Sequence, residues 1–171
     1  MESSSSPYLN FWIWQASTQG TRQLNKSIKW LINSEKNTNL KEVLDTRFLR
    51  EYFYSPQEET KERTNRKLKA LIAKNEGILP TIVIAEIIQI TCAIRGKDMA
   101  QSRYQALTQI GLEIQNLTPP IAEQAGLFKC QYSNLPMGDC IIAATATVNH
   151  ARVLSDDPHF DVIEEIKCVW I

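Results

Sequence analysis

From Leu40 onward, short apolar runs alternate with longer stretches whose apolar residues recur at helical spacing. That alternation predicts strand–helix units wound on a parallel sheet. Lys41-Glu-Val-Leu44 reads as a first strand and Gly77-Ile-Leu-Pro-Thr81 as a second extended segment, with a polar helix over Glu58 to Lys74 between them. Val83, Ile84, Ile87, Ile88, Ile90 and Ile94 then predict a buried helix over Ile82 to Arg95, closed by Gly96. Asp98 to Ile110 reads as a further helix and Leu112 to Leu117 as a strand. Pro119-Pro120 opens a helix that runs to about Tyr132, because proline suits the first helical turn. Another helix runs from Met137 to Asn149, and its Ile142, Ala143 and Ala146 side is small enough to approach a sheet closely. Ala151 to Ser155 and Cys168 to Ile171 complete the strands.

Residues 1–39 have a different character: a serine run, three of the four tryptophans (Trp12, Trp14 and Trp30) and an asparagine-rich stretch from Asn33 to Asn39. They read as an extension preceding a domain of residues 40–171. Leu24, Ile28, Leu31 and Ile32 allow one amphipathic helix in it, which either packs its aromatic side on the main body or serves as a partner-docking arm.

Composition narrows the function. The 171 residues carry 19 Lys+Arg against 19 Asp+Glu, a net charge of zero, so no global basic field attracts nucleic acid and any charged site must be local. No apolar run approaches the roughly 20 residues that span a membrane. Cys92, Cys130, Cys140 and Cys168 form neither a CxxC pair nor a dense disulfide framework, and the acidic, serine-rich start lacks the basic region of a secretion signal. A cytoplasmic protein with reduced thiols is expected.

Four carboxylates fall at informative places. Asp45 follows Val43-Leu44, and Asp156-Asp157 follow Val153-Leu154, both at the carboxyl ends of strands, where open α/β sheets bind ligands. Asp139 lies at a helix N-terminus, where the macrodipole favours an anion by about 0.3–1 kcal/mol. Glu86 interrupts a helix that is otherwise isoleucine, valine and alanine; an acid there must be paired, bound to a metal or turned to a cleft. Singly, each has an ordinary reading as a turn residue, a cap or the partner of a buried arginine. Gathered on one rim, such acids repel by ~3–4 kcal/mol per pair at 4–5 Å and an effective dielectric of 20. A divalent cation reverses that repulsion, and an all-oxygen set suits Mg²⁺ or Mn²⁺ better than zinc.

The segments Val43-Leu-Asp45-Thr-Arg-Phe-Leu49, Ala85-Glu86-Ile-Ile, Gly138-Asp139-Cys-Ile-Ile-Ala-Ala-Thr-Ala146 and Val153-Leu-Ser-Asp-Asp157-Pro-His-Phe160 resemble the four ordered motifs of PIN-domain nucleases, over residues 41–171. The third is the most specific, and the single compact domain is most similar to the VapC-type toxins. The resemblance implies a three-layer α/β/α fold around a mostly parallel sheet, Mg²⁺- or Mn²⁺-dependent hydrolysis of RNA phosphodiesters by an activated water, a homodimer, and neutralisation by an antitoxin. It places Asp45, Glu86, Asp139 and Asp157 on the family's four acids, with Asp45 and Asp139 as direct metal ligands. Glu86 and Asp157 then hold a second metal or orient its water, and Thr46 and Ser155 are supporting hydroxyls. Two features depart from the family: Arg47 stands where a small polar residue is common, and an extension of about forty residues precedes the domain.

Competing chemistries lack their residues. His150 and His159 are the only histidines, and His159 in Asp-Pro-His-Phe reads as a turn residue; no glycine-rich phosphate loop is present. A catalytically silent PIN-fold module binding RNA or protein is the alternative from another class, and an RNA-processing or DNA-directed nuclease without antitoxin is a third. For RNA contact the densest basic cluster is Arg63, Arg66, Lys67 and Lys69, with Arg47 nearer the acids; the helix carrying that cluster is either a phosphate-facing patch or a solvated face.

Overall fold

The computed structural model describes residues 40–171; the expectations for residues 1–39 lie outside the described residues. Five short strands, β1 (Glu42–Leu44), β2 (Gly77–Pro80), β3 (Glu113–Gln115), β4 (Arg152–Leu154) and β5 (Cys168–Val169), form one sheet in the order β3-β2-β1-β4-β5. Every neighbouring pair is parallel, with Val43 opposite both Ile78 and Val153. Six helices connect them: α1 (Thr46–Tyr54), α2 (Glu58–Lys74), α3 (Thr81–Arg95), α4 (Lys97–Thr108), α5 (Pro119–Gln131) and α6 (Met137–Val148). Successive residues of a strand face opposite sides, and all of β1 and β2 is buried, so both faces of the sheet are covered and the fold is three-layered.

Local chemistry sets the element ends. Asn75 takes a left-handed conformation (φ 54°) to end α2, and its N–H reaches the Ile72 carbonyl at 3.2 Å. Gly96 (φ 83°) both ends α3 and starts α4, a backbone turn that a side chain would strain. Pro119 and Pro120 open α5 as expected. The structure adds α1, which the apolar pattern did not predict. Its sequence, Thr-Arg-Phe-Leu-Arg-Glu-Tyr-Phe-Tyr, is rich in aromatic residues that favour strands in isolation. Burial overrides that preference: Phe48 and Leu49 are fully buried, and Phe48 meets Trp170 edge-on with ring centroids 6.2 Å apart. Each such side chain contributes about 1.5–3 kcal/mol by leaving water. The buried helix expected over Ile82 to Arg95 buries one face only, through Val83, Ile84, Ile87 and Thr91, while Ile94 is 56% exposed.

The chain order places β1 at the centre, with β2 and β3 on one side and β4 and β5 on the other. The β1–β4 boundary is therefore the topological switch point, where connections diverge and where open α/β sheets bind ligands beyond the carboxyl ends of the strands. At the opposite, amino end of β1, Glu42 is almost fully buried and receives Lys67 of α2 at 2.8 Å and Arg152 of β4 at 2.7 Å. Either cation alone still neutralises Glu42, but removal of both leaves a buried charge unpaired. We expect Lys67→Ala and Arg152→Ala each to lower stability by about 1–3 kcal/mol. The double substitution should cost more than their sum, as measured by urea unfolding; strict additivity would show that Glu42 is not held as a pair.

Candidate active site at the carboxyl edge of the sheet

Asp45 is the first residue beyond β1 and the N-cap of α1, and it is only 4% exposed. The hydroxyl of Ser155, one residue beyond β4, donates to its Oδ2 at 2.6 Å, and the Thr46 backbone N–H donates to its Oδ1 at 2.6 Å. The two strands flanking the switch point thus each place their next residue on the same carboxylate. Ser155 Oγ also accepts the Asp157 backbone N–H at 3.0 Å, which ties the loop after β4 to the same point.

The other acids join this centre from three directions. Glu86 lies one and a half turns into α3, which leaves the sheet directly from β2, and its Oε2 accepts a hydrogen bond from the Thr46 hydroxyl. Asp139 lies in the first turn of α6, and His159 Nδ1 contacts its Oδ2 at 2.9 Å. Asp157 caps a 3-10 turn (Pro158–Val162) by accepting the His159 backbone N–H at 2.9 Å, and its Oδ1 lies 3.5 Å from His159 Nδ1. Gly138, next to Asp139, lies beside the Glu86 carboxylate: a Cβ there would lie 2.5 Å from Glu86 Oε1. Asp45, Glu86, Asp139 and Asp157 therefore belong to one network, joined through Thr46, Ser155 and His159.

Electrostatics agree with that proximity. Burial pushes the Asp45 carboxyl up to about 6 and the nearby charge of Asp139 adds to the rise, while hydrogen bonds from Ser155 and Thr46 oppose it. Asp139 is also raised, first by burial and then by Asp157, against the lowering effect of His159.

The donors fit a hard divalent cation in kind, since every carboxylate here offers oxygen. Among the described residues no group of three or more His, Cys, Asp or Glu side chains is arranged to enclose an ion. Mg²⁺ requires no such cage, because it keeps several waters and is held by one or two carboxylates plus phosphate oxygens. Asp45, which feels the charge of Asp139, and Asp139 itself offer carboxylate oxygens of the kind that such an open site uses.

The basic residues are dispersed. Lys67 is held by Glu42 at the amino end of β1, about 10 Å of strand away from Asp45 at ~3.3 Å per residue. Arg63 donates to the backbone carbonyl of Ile171, and Arg66 is exposed. The cluster expected on α2 is thus not one free phosphate-facing patch, because one of its members neutralises a buried acid of the sheet. Arg47 does lie at the site, its Nε 2.6 Å from Asp156. The contacts of His159 are what the sequence reading missed. Its place two residues after Asp157 was visible, but a turn residue and an acid-binding imidazole share the same local sequence.

A family model described as PIN domain matches residues 43–166. No curated protein matches the sequence. Among solved structures, VapBC2 from Rickettsia felis, bound to a DNA fragment from its promoter, is similar with a TM-score of 0.64 and 17% identity, over 77% of this chain and 98% of that one. DNA-bound VapBC from Salmonella typhimurium gives 0.62 and 18%, over 77% and 98%. VapC20 from Mycobacterium tuberculosis, a sarcin–ricin loop cleaving toxin, gives 0.59 and 13%, over 72% and 95%. At these identities the likeness is one of fold.

The raised Asp45 carboxyl makes stability depend on pH in a defined sense. Between the ordinary value of 3.8 and about 6 the unfolded chain ionises while the folded protein keeps the proton, so this group's contribution to stability is full below about pH 4 and is lost as pH rises through 6. Asp45→Asn cannot ionise and escapes that loss. In chelator it should unfold near the wild-type temperature at pH 4 and be more stable by about 1–3 kcal/mol at pH 7. Thermal melts across that range check this, and a variant less stable than wild type at pH 7 would contradict it.

Proposed function

The chain belongs to the PIN domain family, and from that premise we propose that it is a Mg²⁺- or Mn²⁺-dependent endoribonuclease that hydrolyses RNA phosphodiester bonds. The observation that carries the reading is the single hydrogen-bonded network beyond the carboxyl ends of β1 and β4 that links Asp45, Glu86, Asp157 and Asp139 through Thr46, Ser155 and His159. In this reading Asp45 and Asp139 would hold the cation next to the substrate phosphate.

When bound, the cation lowers the pKa of water and offsets charge on the phosphate oxygens as in-line displacement proceeds. The chain's own residues have separate tasks. Ser155 and the Thr46 N–H fix both oxygens of Asp45, so its carboxylate cannot rotate away from the crevice. The Thr46 hydroxyl fixes Glu86, which together with Asp157 orients the attacking water or holds a second ion. Arg47, whose Nε lies 2.6 Å from Asp156 at the loop after β4, we assign to a substrate phosphate.

We extend the reading to a toxin with an antitoxin partner, on the support of the VapBC structures it resembles in fold. We also propose a homodimer, supported by an open apolar cleft of about 380 Å³ between α3 and α4, lined by Ile88, Cys92, Ala100 and Tyr104. A cytoplasmic location follows from that role. Among the described residues no helix is long and apolar enough to cross a membrane.

Cleavage of single-stranded or structured RNA should require Mg²⁺ or Mn²⁺ and stop in chelator. Asp45→Asn and Asp139→Asn should each reduce it by about 100-fold or more, on the scale of losing a group that stabilises transition-state charge, while circular dichroism stays native. Undiminished cleavage by Asp139→Asn would place the chemistry elsewhere. A wild-type protein that binds RNA but never cleaves it would favour the silent binding module.

A further inference from the structure

We propose that His159 is a positioning residue of this centre, fixing Asp139, which would hold the cation, relative to Asp157, which would orient water or a second ion beside it; the proposal rests on the nuclease reading and deepens it. The two acids come from unconnected elements, Asp139 from the first turn of α6 and Asp157 from the cap of the 3-10 turn after β4. Left to themselves they repel, and the charge of Asp157 is felt at Asp139. His159 contacts both. Its Nδ1 lies 2.9 Å from Asp139 Oδ2 and 3.5 Å from Asp157 Oδ1, while its backbone N–H donates to that same Asp157 oxygen at 2.9 Å.

The link completes a chain across the site. Asp45 accepts from the Ser155 hydroxyl, Ser155 accepts from the Asp157 N–H, Asp157 accepts from the His159 N–H, and the His159 imidazole reaches Asp139. The backbone of His159 is held independently. Pro158 restricts the residue before it, and Phe160, 1% exposed, anchors the residue after it in the core. Its side chain is 52% exposed, so packing does not set the ring's direction and the contact with Asp139 does. An ionised carboxylate only accepts hydrogen bonds, so Nδ1 is the nitrogen that carries the proton toward Asp139. Donors of this kind orient ligating groups, and their loss typically costs 10–100-fold in metal affinity.

The geometry makes a distinction between two amides. An asparagine side-chain nitrogen occupies the place of imidazole Nδ1, whereas that of glutamine reaches the place of Nε2. Mn²⁺ affinity of the metal-free full-length protein, measured by calorimetry at one pH, reads the effect without relying on cleavage. His159→Ala and His159→Gln should each weaken binding by about 10-fold or more, and His159→Asn should retain wild-type affinity, with all three melting cooperatively. Wild-type affinity in His159→Ala would overturn the positioning role while leaving the nuclease reading intact. So would an Asn variant as weak as the Ala variant, or a Gln variant as tight as wild type. Failure of the wild-type protein to bind Mn²⁺ at all would overturn the nuclease reading and this proposal with it.

Discussion

Strand β1 is three residues long, lies at the centre of the sheet, and has a buried carboxylate at each end. Desolvation penalises both acids, and the fold answers the two in opposite ways. At the amino end Glu42 is met by two cations, Lys67 and Arg152, close enough to offset its charge within the structure. At the carboxyl end Asp45 is met by a hydroxyl, backbone N–H groups and the charge of a second acid, Asp139. Neutral donors orient a carboxylate without cancelling it, so negative potential collects on one edge of the sheet and not on the other. Topology decides which edge: the switch point between β1 and β4 opens the crevice at the carboxyl ends, and the uncompensated acid sits there.

The remaining acids follow from that placement. Because α3 leaves β2 without an intervening loop, a residue one and a half turns along it still overhangs the strand end, which brings Glu86 within reach of the Thr46 hydroxyl. Because β4 is parallel to β1 and in register with it, Leu44 faces Leu154, and the residues that follow them, Asp45 and Ser155, meet. The site is therefore as well defined as the sheet register, and a one-residue slip of either strand would separate the pair. Its cost is also fixed by the fold, since like charges held in low dielectric raise one another's proton affinity and weaken the protein in the absence of a counter-ion.

How much of this was legible in the sequence depended on whether the cause was local. Helix boundaries were, because Gly96 and Pro119-Pro120 act on the backbone within a residue or two; the limits of α2 came out as expected, at Glu58 and Lys74. The acids were legible as positions, since an acid directly after a buried strand or in the first turn of a helix lies at an end whatever the topology. Helix α1 was not, because its aromatic residues suit a strand until the core and Trp170 claim Phe48. Pairings across the chain were least legible. Nothing near Lys67 in sequence distinguishes a cation facing phosphate from one reaching Glu42, 25 residues away, and nothing near His159 indicates Asp139, 20 residues away.

The hydroxyl and glycine residues of the site follow from the same physical demand. A lysine or arginine in place of Ser155 would hold Asp45 as Lys67 and Arg152 hold Glu42, and would permanently occupy the electrostatic role of the proposed cation. Serine and threonine hydroxyls instead donate to one oxygen of Asp45 and of Glu86, so these acids are oriented by neutral donors and keep their charge. Bringing those acids together also requires the helices that carry them to approach without side chains between. Gly138, adjacent to Asp139, leaves that space open, and a Cβ there would lie 2.5 Å from Glu86 Oε1, so a larger residue would require the Glu86 carboxylate to shift. Neutral donors beneath the carboxylates and bare backbone beside them are what permit several like charges to share one crevice, and both are placed by parallel strands that end at the same edge of the sheet.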